Sequence, residues 1–133
     1  MKGRLAASAA LLTLSLCAAA QNPSAWRAHV PEKDRVQIDS LPQTTENAAA
    51  GRELYHRNCA ACHGDDGQGR GRKPALHGER MQSTTDGELF WLLRNGSLAH
   101  GMPSWSRLPE AQRWQLIQYL RTLPESPAHA LTP

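Results

Sequence analysis

The chain lacks any apolar run near the roughly 18 residues that cross a bilayer, so no transmembrane segment is expected in the mature protein. It also lacks a Lys/Arg run, and its formal charge is only +3. That is too little for a nucleic-acid footprint. Phe occurs once, and aromatics make up 5% of the residues, although four of them are Trp. There is no alternating strand pattern, no repeat and no low-complexity tract. These absences exclude a collagen, a coiled coil, a membrane-spanning protein and a nucleic-acid partner. At 133 residues the chain makes one domain and is too short for a large enzyme. Nine Pro and ten Gly imply a short core laced with loops.

Cysteine is also scarce, at three residues. One of them, Cys17, falls in a segment that reads as a signal peptide over residues 1–20. Lys2 and Arg4 form its positive end, Leu5 to Leu16 its apolar stretch, and Ala18-Ala19-Ala20 its cleavage site, with the cut after Ala20. The alternatives are a buried N-terminal helix and a lipoprotein. Leu14-Ser15-Leu16-Cys17 has the shape of a lipobox with Cys17 as the lipid-anchored residue, but Leu16 stands where a small residue is wanted. Cleavage leaves Cys59 and Cys62 alone and removes two positive charges. An exported chain of this size usually has more disulfides. Its core is marginal without a staple, and a covalently attached cofactor would serve as one.

Along the mature chain, residues 21–45 are Pro-dotted and without period. They read as an irregular N-terminal extension on the surface, with Trp26, Val36 and Ile38 as local pins. Residues 46–124 form the domain, and residues 125–133 a C-terminal tail. Residues 46–58 have helical spacing, with Thr44 or Thr45 as cap. Residues 63–82 are a Gly-rich loop, too long to be structureless unless it wraps something. Thr85-Asp86-Gly87-Glu88 is a capping box opening a helix that Asn95-Gly96 closes. A last helix begins near Pro109, shows Leu116, Ile117, Leu120 and Leu123 as its stripe, and stops at Pro124.

The chemistry sits in Cys59-Ala60-Ala61-Cys62-His63. C-x-x-C-H is the attachment signature of a c-type haem. Two thiols two residues apart reach two vinyl groups on one porphyrin edge, and the adjacent His puts its imidazole on the iron. A redox dithiol would need a βαβ setting, for which there is no strand. A zinc site needs four ligands, and one would still be missing. For the second axial position the candidates are Met81, Met102, His77, His100, His56 and His29. Met102 is favoured because Gly101-Met102-Pro103 lies in the loop between the last two helices, which can return to the other face of the ring. His/Met ligation raises the potential. His100 is the rival in the same loop, and ordinary core packing is the other use of a Met. Trp105 reads equally as a porphyrin neighbour and as core. Trp91 and Trp114 read as core. Arg70, Arg72, Lys73 and Arg80 read as a solvated loop, with steering of an acidic partner as the alternative.

Over about residues 48–123 the chain resembles the class I c-type cytochromes, small monohaem electron carriers. The resemblance rests on Gly51, Tyr55, Cys59, Cys62, His63-Gly64, Pro74-Ala75-Leu76-His77-Gly78, Gly101-Met102-Pro103 and Leu116 to Leu120. It implies an all-α cytochrome c fold, three main helices and loops wrapped around one covalent haem. It further implies that the first and last helices cross at Gly51, and that the Pro74 carbonyl accepts a hydrogen bond from His63. Glu88-Leu89-Phe90-Trp91 and Gly101-Met102-Pro103-Ser104-Trp105 look like a bacterial subgroup associated with periplasmic dehydrogenases.

The expected function is therefore a periplasmic monohaem carrier of single electrons, with no catalytic residues of its own. Its expected partners are redox proteins: a dehydrogenase as donor, and an oxidase or another cytochrome as acceptor. The competing readings are a haem peroxidase or gas sensor with an open distal site, and a non-haem redox or metal protein.

Overall fold

The computed structural model describes residues 24–124. The signal-peptide stretch 1–20 with Cys17, and the tail 125–133, lie outside the described residues. The helices are α1 (Glu32–Arg35), α2 (Thr45–Asn58), α3 (Ala60–His63), α4 (Glu79–Gln82), α5 (Asp86–Asn95) and α6 (Glu110–Thr122). Single 3-10 turns cover Ala25–His29 and Leu98–His100. Among the described residues there is no strand, only two isolated bridges. The protein is all-α, and its three long helices are the three expected.

Each long helix begins where its local chemistry says it should. Thr44 caps α2, its side chain accepting from the Asn47 amide at 3.1 Å. Thr85 and Glu88 form the full capping box of α5, with reciprocal bonds of 3.1 and 2.9 Å. Gly96 ends α5 at φ +72°, a backbone conformation that side chains resist. Pro109 precedes α6 as its cap residue, so the helix starts one residue later than Pro109 itself.

α2 and α6 make the largest helix contact of the fold. They meet at Gly51, where an added Cβ would stand 1.9 Å from the Gln115 carbonyl oxygen. Tyr55 and Tyr119 pack beside that crossing, ring centroids 5.2 Å apart. Across α5 and α6, Phe90 stacks on Trp114 at 4.2 Å. Arg121 ties α6 to the turn before α5: it pairs with Asp86 at 2.6 Å and donates to the carbonyls of Met81 and Thr84.

The N-terminal extension is more ordered than its sequence suggests. α1 lies against α5, and Arg27 of the 3-10 turn reaches Glu88 on that helix. The expected pins Val36 and Ile38 are 65% and 84% exposed, whereas Val30 and Asp34 are buried. The reason is long-range pairing, which leaves no period in the sequence: Asp34 binds Arg94 at 3.0 Å, and Arg27 and Arg35 both bind Glu88.

Candidate functional site

Cys59 terminates α2, and its carbonyl accepts the amides of Cys62 (3.0 Å) and His63 (2.9 Å), folding the C-x-x-C-H stretch into the single turn α3. The following loop is then gathered around that turn. Tyr55 donates its hydroxyl to the Gly64 carbonyl at 2.6 Å, Gly69 donates to the His63 carbonyl at 2.7 Å, and Leu76 donates to the Gly67 carbonyl at 2.7 Å. This brings Pro74 to His63. The His63 Nδ1–H donates to the Pro74 carbonyl at 2.9 Å, which leaves Nε2 as the nitrogen free to bind a metal. Burial lowers the His63 pKa and the nearby Lys73 lowers it further, while the Pro74 bond opposes them. The net effect keeps the imidazole neutral, the form that ligates iron.

The loop between α5 and α6 is built by a small set of bonds. Ser97 and Met102 exchange amide–carbonyl bonds of 2.8 and 3.1 Å. Trp105 donates its amide to the Leu93 carbonyl at 2.7 Å, and Ser104 donates its hydroxyl to the Arg94 carbonyl at 2.6 Å. Gly96 is tightly enclosed: a Cβ there would stand 2.7–2.8 Å from the backbone of Met102, Pro103 and Ser104. Lys73 links the two loops by donating its ammonium to the His100 carbonyl at 3.3 Å.

Between these loops and the helices lies a cavity of about 630 Å³, bordered by Cys59, Cys62, His63, Pro74, Met102 and Trp105. Its walls are otherwise largely apolar, among them Leu89, Leu92, Leu93, Leu116 and Leu120. Small-molecule and cofactor sites span roughly 300–1,000 Å³ and are walled in this way, so size and lining suit a porphyrin. Burial, with the neighbouring Cys62 adding to it, pushes the Cys59 thiol up to about 12. A thiolate is therefore disfavoured there, whereas an uncharged thioether fits. Cys62 is exposed and sits at the rim.

The six distal candidates separate by position. Met81, Met102 and His100 border the cavity, whereas His77, His56 and His29 do not. Met81 belongs to the buried core cluster. His100 lies on the exposed side of its loop, with Nδ1 engaged by the Ser97 hydroxyl at 2.9 Å. Trp114 is core, fully buried against Phe90, and Trp91 does not reach the cavity. Of the basic loop residues, Arg72, Lys73 and Arg80 border the cavity, while Arg70 pairs with Asp65 at 3.3 Å. Trp26 also borders it. Sequence reasoning missed that role, because no periodicity in residues 21–45 aims one side chain inward.

Known proteins share sequence with this chain over the segments that build the cavity. The chain is 35% identical over 97 residues to the cbb3-type cytochrome c oxidase subunit CcoP of Azospirillum brasilense, covering 65% of this chain and 32% of that protein. It is 31% identical over 106 residues to the subunit of the same name from Rhodobacter capsulatus, covering 66% and 33%. It is 49% identical over 41 residues to cytochrome c-554(547) of Halothiobacillus neapolitanus, covering 29% and 45%. The chain thus spans about a third of the length of the two CcoP proteins. Residues 46–120 match the family described as cytochrome c oxidase, cbb3-type, subunit III. The cofactor of this family is covalently bound haem c, in keeping with the C-x-x-C-H turn. Because that match runs from the first turn of α2 into the last turn of α6, the chain belongs to the class I c-type cytochromes, proteins of electron transfer.

Proposed function

We propose that the protein is an exported monohaem cytochrome that carries single electrons between redox partners, with an oxidase on the accepting side. The observation that carries this reading is the convergence of Cys59, Cys62, His63 and Met102 on one apolar cavity. In it, Cys59 and Cys62 would hold a porphyrin through thioether bonds, and His63 Nε2 and Met102 Sδ would be the groups that bind its iron. Pro74 holds the imidazole in one tautomer, and Trp105 is part of the wall. The haem supplies a one-electron iron couple. The polypeptide orients the imidazole, provides a soft thioether that favours ferrous iron, and keeps water away with its leucines. The exposed rim at Cys62 is the side on which a partner approaches closely.

The naming of two relatives as cbb3-type oxidase subunits supports an oxidase, or a cytochrome linked to one, as acceptor. A periplasmic dehydrogenase is the donor class that the Glu88–Trp91 and Gly101–Trp105 stretches suggest. Export to the periplasm follows from the Lys2-to-Ala20 pattern. The test is an optical spectrum of the oxidised and reduced protein, with the mass of the mature chain. A sulfur-to-iron charge-transfer band, one haem and an N-terminus at Gln21 are expected. Ready CO binding by the wild type would replace the carrier with a sensor or peroxidase. A negative haem stain on a denaturing gel would overturn haem attachment, and diacylglycerol on Cys17 would overturn the cleavage site.

A further inference from the structure

The family match begins at residue 46, yet Trp26, twenty residues earlier, forms part of the cavity wall. The turn that presents it is fastened at several points. Arg27 donates to the Glu88 carboxylate at 3.0 and 3.3 Å and to the Ser83 carbonyl at 2.8 Å. Arg35 binds the same carboxylate and the Arg27 carbonyl. Thr85 donates its hydroxyl to the Arg35 carbonyl at 2.8 Å. The backbone itself lies against α5, where a Cβ on Gly87 would stand 2.1 Å from the Asp34 carbonyl oxygen.

Glu88 is the centre of this fastening, with its side chain 1% exposed. A capping box needs from it only one bond, to the Thr85 amide at 2.9 Å. Two guanidiniums on the same carboxylate exceed that need. Both come from the segment that precedes the family domain. A buried carboxylate is costly unless it is paired and fully hydrogen-bonded, so the extension and Glu88 require each other. Asp34 repeats the arrangement on the next turn of contact, buried and paired with Arg94.

We propose that residues 24–36 are a strap, latched on Glu88, and that Trp26 is a positioning residue for the haem: it closes a wall of the cavity that the family domain leaves open. The inference rests on the haem reading above. Its consequence is electrochemical. Water admitted beside the ring stabilises the more highly charged oxidised form, so opening this wall lowers the potential.

The experiment uses the full-length exported chain and four variants: Trp26→Ala, Trp26→Phe, Arg27→Gln and, as a control on the exposed face of the extension, Ile38→Ser. Haem content, reduction potential and hydrogen exchange of residues 24–36 are measured on each. Trp26→Ala is expected to shift the oxidised-to-reduced equilibrium about tenfold toward the oxidised form, a fall of about 59 mV for one electron. Trp26→Phe should recover most of it. Arg27→Gln should speed exchange across residues 24–36 and move the potential in the same direction, and Ile38→Ser should change neither. Loss of haem in Trp26→Ala with retention in Trp26→Phe also supports closure by the ring. Haem-loaded Trp26→Ala at the wild-type potential overturns the proposal while leaving the haem site intact. A wild-type chain without haem overturns the reading beneath it.

Discussion

Met102 and Tyr55 both border the cavity. Met102 stands in a loop whose backbone is held by Ser97 and enclosed at Gly96, so truncating it leaves the loop in place. Met102→Ala should therefore keep haem attached through Cys59 and Cys62, lose the sulfur-to-iron band, lower the potential and admit CO. His100→Ala should leave the oxidised spectrum unchanged; a changed spectrum in that variant would reassign the iron to two histidines. Tyr55 acts on the attachment turn from behind. It is fully buried, and burial, followed by the neighbouring Cys59 and Tyr119, raises its pKa well above the ordinary phenol. The folded state therefore keeps its proton where the unfolded chain would lose it. The stability this contributes is complete below about pH 10 and is lost as pH rises beyond it. Tyr55→Phe should cost about 0.5–1.5 kcal/mol at neutral pH, because the Gly64 carbonyl loses the shorter of its two donors and keeps only the Gly67 amide at 3.2 Å. It should also flatten the alkaline fall in stability, as read by denaturant midpoints between pH 8 and 11.

At the scale of elements, the crossing of α2 and α6 governs where α3 can sit, because α3 follows α2 after the single residue Cys59. Gly51 permits that approach. Gly51→Ala would gain about 1 kcal/mol in helix propensity, but its Cβ would meet the Gln115 backbone, which cannot rotate away. Overpacking of this kind costs about 1–3 kcal/mol, so a net loss of up to about 2 kcal/mol is expected in denaturant titration of the haem-loaded protein. An unchanged or raised midpoint would show that the helices slide apart freely. The local signals for these elements were legible in the chain: Thr44, the Thr85–Glu88 box, Gly96 and Pro109 each act within a few residues. The two helical turns of the extension were not legible, because Arg27, Asp34 and Arg35 find their partners some 53 to 61 residues away.

For the molecule as a whole, the cavity decides stability. The cavity here is about 630 Å³ with mostly apolar walls, so without a cofactor its leucines face water or the helices must collapse on it, and either costs stability. Domain stabilities are only about 5–15 kcal/mol, so the polypeptide cannot keep this space open without its cofactor. Cys59→Ala combined with Cys62→Ala should yield a chain that stains negative for haem, is cleaved rapidly by protease and melts without a cooperative transition. A sharp thermal transition in that double variant would show that the helices close on one another instead.

The chain by itself determined what is covalent or local. Cys59, Cys62 and His63 act within five residues, and helix caps and stops act within a turn, so their chemistry is written in their order. It also determined the all-α class, since apolar residues repeat at helical spacing along the three long helices. The tertiary structure alone decided which distant side chains share the cavity. It excluded His77, His56 and His29 from the rim, joined Lys73 to the His100 loop, and turned Trp26 inward. These outcomes depend on how helices cross and on which buried charges find partners, and such contacts bring together residues far apart in the chain, leaving no periodic trace in it.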